Sequence, residues 1–303
     1  MIKKSITNPQ LIDHLDKIYP DEMSVFVMAD GMYRGALLNG TMLVNQMRAQ
    51  HDLGILESFI LGNACLASGL LLQTMKGREH LTLRYETDGL CKGFSTSVDS
   101  TGFVRAYLFD KSIPLEKPLE SWDTSQFFGN GTLTLSRFPE GAKEAQTGSV
   151  EIVKKNIAQD LTWYFLQSEQ INTAFNTSLQ FSKDGLVTGA GGLFLQAMPG
   201  ADEETTERVE HAFSACPSLG QWFSEQGDTE DIIYGLFREF NPSVALTRKV
   251  IYDCPCSKEK FASHINALNS KQFSEIMNGD FPLEVICEYC SSKYQIEKKD
   301  LLN

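Results

Sequence analysis

The run Ser24-Val-Phe-Val-Met-Ala29, bounded by Asp30-Gly31, is apolar and β-rich and predicts a buried strand. Before it, residues 1–22 form a polar lead-in with a short helix around Leu11–Ile18. Thr41 to Gln50 predicts a helix with Met42, Val44, Met47 and Ala49 apolar, and Asp52-Leu53-Gly54 separates it from a long apolar run. Leu81 to Thr87 then alternates, with Leu81, Leu83 and Tyr85 on one face, and Asp88-Gly89 supplies a tight turn. Leu90–Val98 returns and Phe103–Phe109 makes a third strand. Lys111–Gln126 is a long Pro-containing loop, and Thr132–Phe138 is entered through Gly129-Asn130-Gly131. A short strand at Val150–Val153, a helix at Ile157–Gln167, and strands at Thr177–Phe181 and Gly192–Met198 complete the pattern. Strands bracketing isolated helices predict an α+β domain, residues 1–199, with a mostly antiparallel sheet and packed helices.

The pattern changes at Pro199-Gly200. Residues 201–240 hold ten acids and two bases, a balance of −8 out of the chain's −12. Among those charges lie Val209, Phe213, Trp222, Phe223, Ile232, Ile233, Leu236, Phe237 and Phe240. Asp228 is a good N-cap for a helix starting near Thr229. Residues 200–243 therefore predict an acidic helical linker with enough apolar surface to dock on a neighbour and enough like charge to resist folding alone. Residues 244–303 predict a small terminal domain. Ser257 caps a helix carrying Phe261, Ile265 and Leu268, and Ser270 caps the next. Leu283–Ile286 then forms a strand. A core of this size is marginal without a staple.

Composition narrows the function classes. The chain has 303 residues, which suits two domains, and 42% of them are hydrophobic, as in ordinary globular proteins. The net charge of −12 comes without a dense Lys/Arg block, which argues against nucleic acid as a partner. The segment Ile55–Met75 carries a single charge, Glu57, but also Ser58, Asn63, Ser68, Gln73 and Thr74. It reads as a central helix buried on most sides, with no membrane role. The polar residues that follow Lys3 and Lys4 do not make a signal peptide. Seven cysteines, an odd number without a disulfide framework, fit a reducing cytoplasm.

Four of those cysteines carry the candidate chemistry. Cys254-Pro255-Cys256 and Cys287-Glu288-Tyr289-Cys290 are two close pairs about thirty residues apart. Two such pairs supply the four thiolates of a tetrahedral Zn²⁺ site. Four cysteine ligands leave no open position for a catalytic water. His264 lies between the pairs and is an alternative ligand, though it reads as a surface helix histidine. With Zn–S near ~2.3 Å the sulfurs sit roughly 3.8 Å apart, whereas a disulfide needs about 2.05 Å. The same sulfurs cannot hold zinc and be cross-linked at once. The spacing specifies the ligand type and leaves its purpose open between a permanent structural ribbon and a switch.

Tyr252-Asp-Cys-Pro-Cys-Ser-Lys-Glu-Lys260 followed by Cys287-Glu-Tyr-Cys290 resembles the zinc motif of the redox-regulated heat-shock chaperones of thirty-three kilodaltons. Arg34-Gly35, Gly129-Asn130-Gly131, Tyr164-Phe165 before Ser168-Glu169-Gln170, Gly191-Gly192-Leu-Phe-Leu-Gln-Ala-Met-Pro199 and Tyr294 are similar to that family in order. The resemblance covers roughly residues 20–300. It implies a cytoplasmic, ATP-independent holdase, inactive when reduced with one zinc at Cys254, Cys256, Cys287 and Cys290. It also implies disulfides Cys254–Cys256 and Cys287–Cys290 on oxidation, zinc release, linker unfolding and binding of unfolded client proteins. The active form would be a homodimer that passes clients to ATP-driven foldases. Cys65, Cys91 and Cys216 are additional thiols, the first two read as core residues. No G-x-S-x-G, P-loop or H-E-x-x-H occurs, so the chain is expected not to be an enzyme. A zinc-ribbon nucleic-acid binder and a thiol oxidoreductase using Cys287 and Cys290 are the alternatives.

Overall fold

The computed structural model describes residues 1–115, 119 and 121–301. Residues 116–118 and 120, inside the loop expected at 111–126, lie outside the described residues, as do 302 and 303. The fold is α+β, with two large sheets and helices packed between and outside them.

The first sheet has five antiparallel strands in the order Ser243–Arg248, Glu22–Met28, Tyr33–Asn39, Val187–Ala197, Thr173–Phe181. The second has six, in the order Ile251–Tyr252, Phe103–Leu108, Gly93–Asp99, Glu79–Thr87, Gly131–Pro139, Gln146–Glu151. All its pairings are antiparallel except the first, where Ile251–Tyr252 runs parallel to Phe103–Leu108. The helix Ile55–Leu70 lies between the sheets and touches both. Thirteen of its sixteen residues are buried, which accounts for an apolar run long enough to cross a membrane. Its small residues set the spacing. A Cβ on Gly62 would sit 2.7 Å from Leu179 Cδ2, and one on Gly69 would sit 2.9 Å from Leu38 Cδ2. Its polar residues are matched: Ser68 shares a buried hydroxyl–hydroxyl bond with Thr96, and Asn63 donates to Phe59 O.

The strand Tyr33–Asn39 escapes the period-two reading because neither of its faces is solvated. Ala36 and Leu38 point into the core between the sheets, while Leu37 points to the opposite face. That opposite face is covered by the acidic segment, which forms helices Glu203–Ser214, Leu219–Ser224 and Thr229–Leu236. Asp202, Ser218 and Asp228 cap them, each accepting a backbone N–H. Val209, Leu219, Phe223, Ile232, Ile233 and Phe237 are buried against Phe26, Met28, Leu37, Leu193 and Leu195 of the sheet. The sheet is cleared for this contact by glycine. A Cβ on Gly191 would fall 2.3 Å from the Phe223 ring, and one on Gly189 would fall 2.0 Å from Gly220 O.

After the acidic segment the chain stays on the body of the protein for ten more residues. Ser243–Arg248 pairs with Glu22–Met28, and Ile251–Tyr252 then joins the second sheet. Only beyond Tyr252 does a separate small unit begin, with helices Lys258–Asn266 and Ser270–Met277 and the hairpin Leu283–Ile286, Lys293–Ile296. Ser257 caps the first helix as expected, but the cap of the second is Asn269, whose side chain accepts the Gln272 N–H, and Ser270 is already helical. The unit's own core is three buried residues, Ala262, Ile296 and Leu301, with half-buried apolar side chains such as Phe261, Ile265 and Val285 packed against them. A core of that size is marginal for some fifty residues.

Candidate metal centre

Cys254 follows directly on the short strand Ile251–Tyr252, and Asp253 N donates to Val104 O of the second sheet at 3.0 Å. The other pair sits at the end of the strand Leu283–Ile286. There Ser291 N donates to Cys287 O at 2.7 Å and Cys287 N to Ser292 O at 2.9 Å, closing a tight turn. Ser291 adopts φ 52°, the left-handed conformation that lets the chain double back. The four ligand sulfurs of Cys254, Cys256, Cys287 and Cys290 all lie within 4.8 Å of one another. Cys254 Sγ is 3.8 Å from Cys287 Sγ and Cys256 Sγ is 3.3 Å from Cys290 Sγ, both contacts running between the pairs. These separations are close to the ~3.8 Å edge of a tetrahedral sulfur site. The cluster can hold one metal ion.

The electrostatics point the same way. Hydrogen bonds from Cys287, then from Cys290, hold the Cys254 thiol far below its ordinary range, and Arg105 Nη1 adds a donor at 3.7 Å. Conversely, donating to Cys254 pushes Cys287 far up and Cys290 up to about 12. Complete ionisation of four packed thiols needs a compensating cation among them.

His264 is exposed on the helix Lys258–Asn266 and is not one of the clustered residues. Cys65 and Cys91 are buried in the main core, and Cys216 packs beside the acidic helices. The cysteine cluster also has neighbours that the cysteine spacing did not indicate. The Arg105 guanidinium stacks 4.3 Å from the Tyr289 ring, and Tyr107 meets the same ring edge-on at 4.9 Å. Tyr252 donates its hydroxyl to Tyr289 O at 2.6 Å, and His51 Nε2 lies 2.8 Å from that hydroxyl. Tyr294 OH donates to Cys256 O at 3.0 Å. At the chain's start, Ile2 N donates to Ser292 Oγ at 2.9 Å, and the same hydroxyl lies 3.2 Å from Cys290 Sγ. Arg105 and His51 are some 150 and 200 residues from the cysteines they support, so no local pattern could have found them.

The Hsp33 protein family model matches residues 21–297. The chain belongs to the Hsp33 family. The 33 kDa chaperonin of Bacillus subtilis (strain 168) is 30% identical over 274 residues, covering 90% of this chain and 94% of that protein. The 33 kDa chaperonin of a Lactobacillus delbrueckii subsp. bulgaricus strain is 32% identical over 266 residues, covering 87% and 90%. Among solved structures, the crystal structure of the 33 kDa chaperonin (heat shock protein 33 homolog) from Thermotoga maritima superposes with a TM-score of 0.81 at 26% identity. It covers 93% of this chain and 97% of that one. Hsp33 is a family of chaperones and not of enzymes, so the four clustered thiols belong to a chaperone.

His51 gives this Hsp33 chain a pH dependence. Burial lowers its pKa from 6.5 to about 4, with Lys111 and Lys4 acting in the same direction and the Tyr289 carbonyl opposing them. The ring is therefore neutral in the folded protein, while the unfolded chain binds its proton near pH 6.5. Stability from this group is complete above pH 6.5 and falls as pH drops toward 4, by on the order of 3 kcal/mol across that window. Urea unfolding of the wild type and of His51→Gln at pH 7 and pH 5 checks this. The stability lost between the two pH values is expected to be smaller in His51→Gln, and equal losses would contradict the assignment.

Proposed function

We propose that the chain is a redox-regulated, ATP-independent holdase, with Cys254, Cys256, Cys287 and Cys290 as both the ligands of one Zn²⁺ and the oxidant-sensitive thiols. The observation that carries the reading is the convergence of four sulfurs in a small unit whose own core is built on three buried residues. Bound zinc would supply a cross-link between the two cysteine turns, and structural zinc contributes on the order of 10–16 kcal/mol to folds of this kind.

In the reduced state the thiolates are committed to the metal and the small unit is ordered. Oxidation joins Cys254 to Cys256 and Cys287 to Cys290. Each pair of thiolates gives up two electrons as the zinc ion leaves, and each reduces one peroxide to two waters with two protons taken from solvent. Closing Cys254–Cys256 and Cys287–Cys290 to about 2.05 Å would dismantle an arrangement in which the sulfurs also contact one another between the pairs, at 3.8 and 3.3 Å. The small unit then loses its staple. The acidic segment is joined to it through the edge strands Ser243–Arg248 and Ile251–Tyr252, which would then be tethered at one end only. Its release would uncover Phe26, Leu37, Leu193 and Leu195 on the sheet and Phe223, Ile233 and Phe237 on the segment. Apolar surface of that extent suits the exposed segments of unfolding client proteins, and the segment's −8 charge keeps the complex in solution. The reading includes a cytoplasmic location, a homodimeric active form and transfer of clients to ATP-driven foldases.

Purified reduced protein should carry one zinc per chain and leave aggregation of a denatured client unaffected. After peroxide at raised temperature it should lose the zinc and four free thiols, and then suppress aggregation at near-stoichiometric ratios. Equal suppression by the reduced and oxidised forms would remove the redox gate from this reading. Turnover of a dithiol substrate would favour a thiol oxidoreductase instead.

A further inference from the structure

Residues 1–4 belong to no helix or strand, yet they are gripped from two sides. On one side stands the helix Thr41–His51 of the body. Gln50 Nε2 donates to Ile2 O at 2.8 Å, and Gln50 Oε1 accepts from Lys4 N at 3.0 Å. Gln46 Nε2 donates to Lys4 O at 2.9 Å. On the other side stand the two cysteine turns. Ile2 N donates to Ser292 Oγ at 2.9 Å, and Met1 N donates to Cys254 O at 2.8 Å. Ile2 therefore gives its N–H to the small unit and its carbonyl to the body.

This contact differs from a terminal segment lying on a surface. Its partners are buried: Gln50 is 0% exposed, Ser292 2% and Gln46 5%. Without residues 1–4, the Gln50 amide keeps only longer contacts, 3.4 Å to Gln46 and 3.5 Å to Ser292. A buried amide left short of partners is costly, so the helix favours the segment's presence. The grip is also on backbone. The side chains of Lys3 and Lys4 are exposed and Ile2 is 54% exposed, while the Gln50 amide bridges Ile2 O and Lys4 N as a neighbouring strand would. Finally, the segment reaches both cysteine pairs. Cys254 belongs to the first, and Ser292 follows the second by two residues, with its hydroxyl 3.2 Å from Cys290 Sγ. All these bonds can be made together only while the two turns stand side by side against the helix.

We propose that residues 1–4 are a clasp, closed over the junction of the helix Thr41–His51 with the two cysteine turns, that restrains the cysteine cluster from opening. Parting the turns draws Cys254 O away from Ser292 Oγ, so the clasp must give up one of them first. Moving the small unit off the body breaks the segment's bonds to Gln46 and Gln50 or its bonds to the turns. The clasp's regulatory meaning rests on the redox reading: by slowing the opening of the reduced cluster, it raises the stress needed to part the thiols from their metal. The restraint itself is a property of the reduced chain and is measured without oxidant or client.

The test compares amide hydrogen exchange in the reduced full-length chain and in a variant lacking Ile2–Lys4. The probes are the Cys287 and Ser291 amides, which close the second cysteine turn. The deletion is expected to speed their exchange by about tenfold, roughly the net effect of one hydrogen bond. Exchange in the strand Gly93–Asp99 should stay as it was. Gln50→Leu should also speed exchange at the turn, and adding it to the deletion should bring little further change, because both remove one shared interaction. Lys3→Ala with Lys4→Ala should leave the wild-type rate. Zinc transfer to a chromophoric chelator should quicken in the same order across the variants. Unchanged exchange after the deletion, additive effects of the deletion and Gln50→Leu, or an equal acceleration from the two alanine substitutions overturns the clasp. Protein that carries no zinc would overturn the metal reading instead, and the exchange comparison would still decide the clasp. The deletion removes only exposed side chains, so it gives the answer even if Gln50→Leu fails to fold.

Discussion

The Cys287→Ser variant is expected to purify with zinc near zero per chain and with its residues beyond Tyr252 unfolded. The small unit's own core is three buried residues with half-buried apolar side chains packed on them, which is little to set against the backbone entropy of ordering it. A four-thiolate zinc site contributes on the order of 10–16 kcal/mol to folds of this kind, and its loss leaves that small core unsupported. A serine hydroxyl is a poor ligand beside three thiolates, and it also breaks the sulfur–sulfur contact that now spans 3.8 Å between Cys254 and Cys287. Metal analysis and amide hydrogen exchange over residues 253–301 would measure the loss. The two large sheets should remain protected, because Cys287 lies outside both of them. A variant that kept exchange protection across the hairpin Leu283–Ile286 and Lys293–Ile296 would show that the unit stands without its staple.

The second large effect separates the acidic helices from the thiols. Gly189→Val should lift the helix Leu219–Ser224 from the sheet while leaving zinc bound and all thiols reduced. A Cβ at Gly189 would meet Gly220 O at 2.0 Å and Ser224 N at 2.6 Å, and both are backbone atoms that cannot rotate away. Overpacking of this kind typically costs about 1–3 kcal/mol, and more where backbone must move. Limited proteolysis should cut within residues 201–240 of the reduced variant, and client aggregation should be suppressed without oxidant. Gly235→Ala is the matching control. It lies in the helix Thr229–Leu236 with nothing within 4 Å of its added Cβ, so it should stabilise by about 0.5–1 kcal/mol. If Gly189→Val resisted proteolysis and remained inactive toward clients, release of the segment would not be the step that creates the holdase.

These experiments address the two parts of the chain that sequence reading treated most differently. The cysteine pairs were legible because a metal site made from two local turns depends on short spacings, which survive any rearrangement of the intervening chain. The central helix was legible for a related reason: only burial on nearly all sides accommodates the near-uncharged run from Ile55 onward. The strand Tyr33–Asn39 was not legible. Its alternation is hidden because Ala36 and Leu38 face one core and Leu37 faces another. The strand Ser243–Arg248 was missed as well, since its pairing partner, Glu22–Met28, is more than two hundred residues away in the chain.

By itself the amino-acid sequence determined which residues could ligate a metal, where the charge is concentrated, which long run is interior and where the helices after Asp228 and Ser257 begin. Each of these depends on residues within a turn or two of one another. Only the tertiary structure decided that the acidic helices lie on a glycine-cleared face of the first sheet, that Arg105, His51 and Tyr252 support the cysteine turns, and that Ile2 bridges Gln50 and Ser292. Those facts concern surfaces brought together from distant parts of the chain. Their energies come from excluded water and matched charge between elements, which no local spacing encodes.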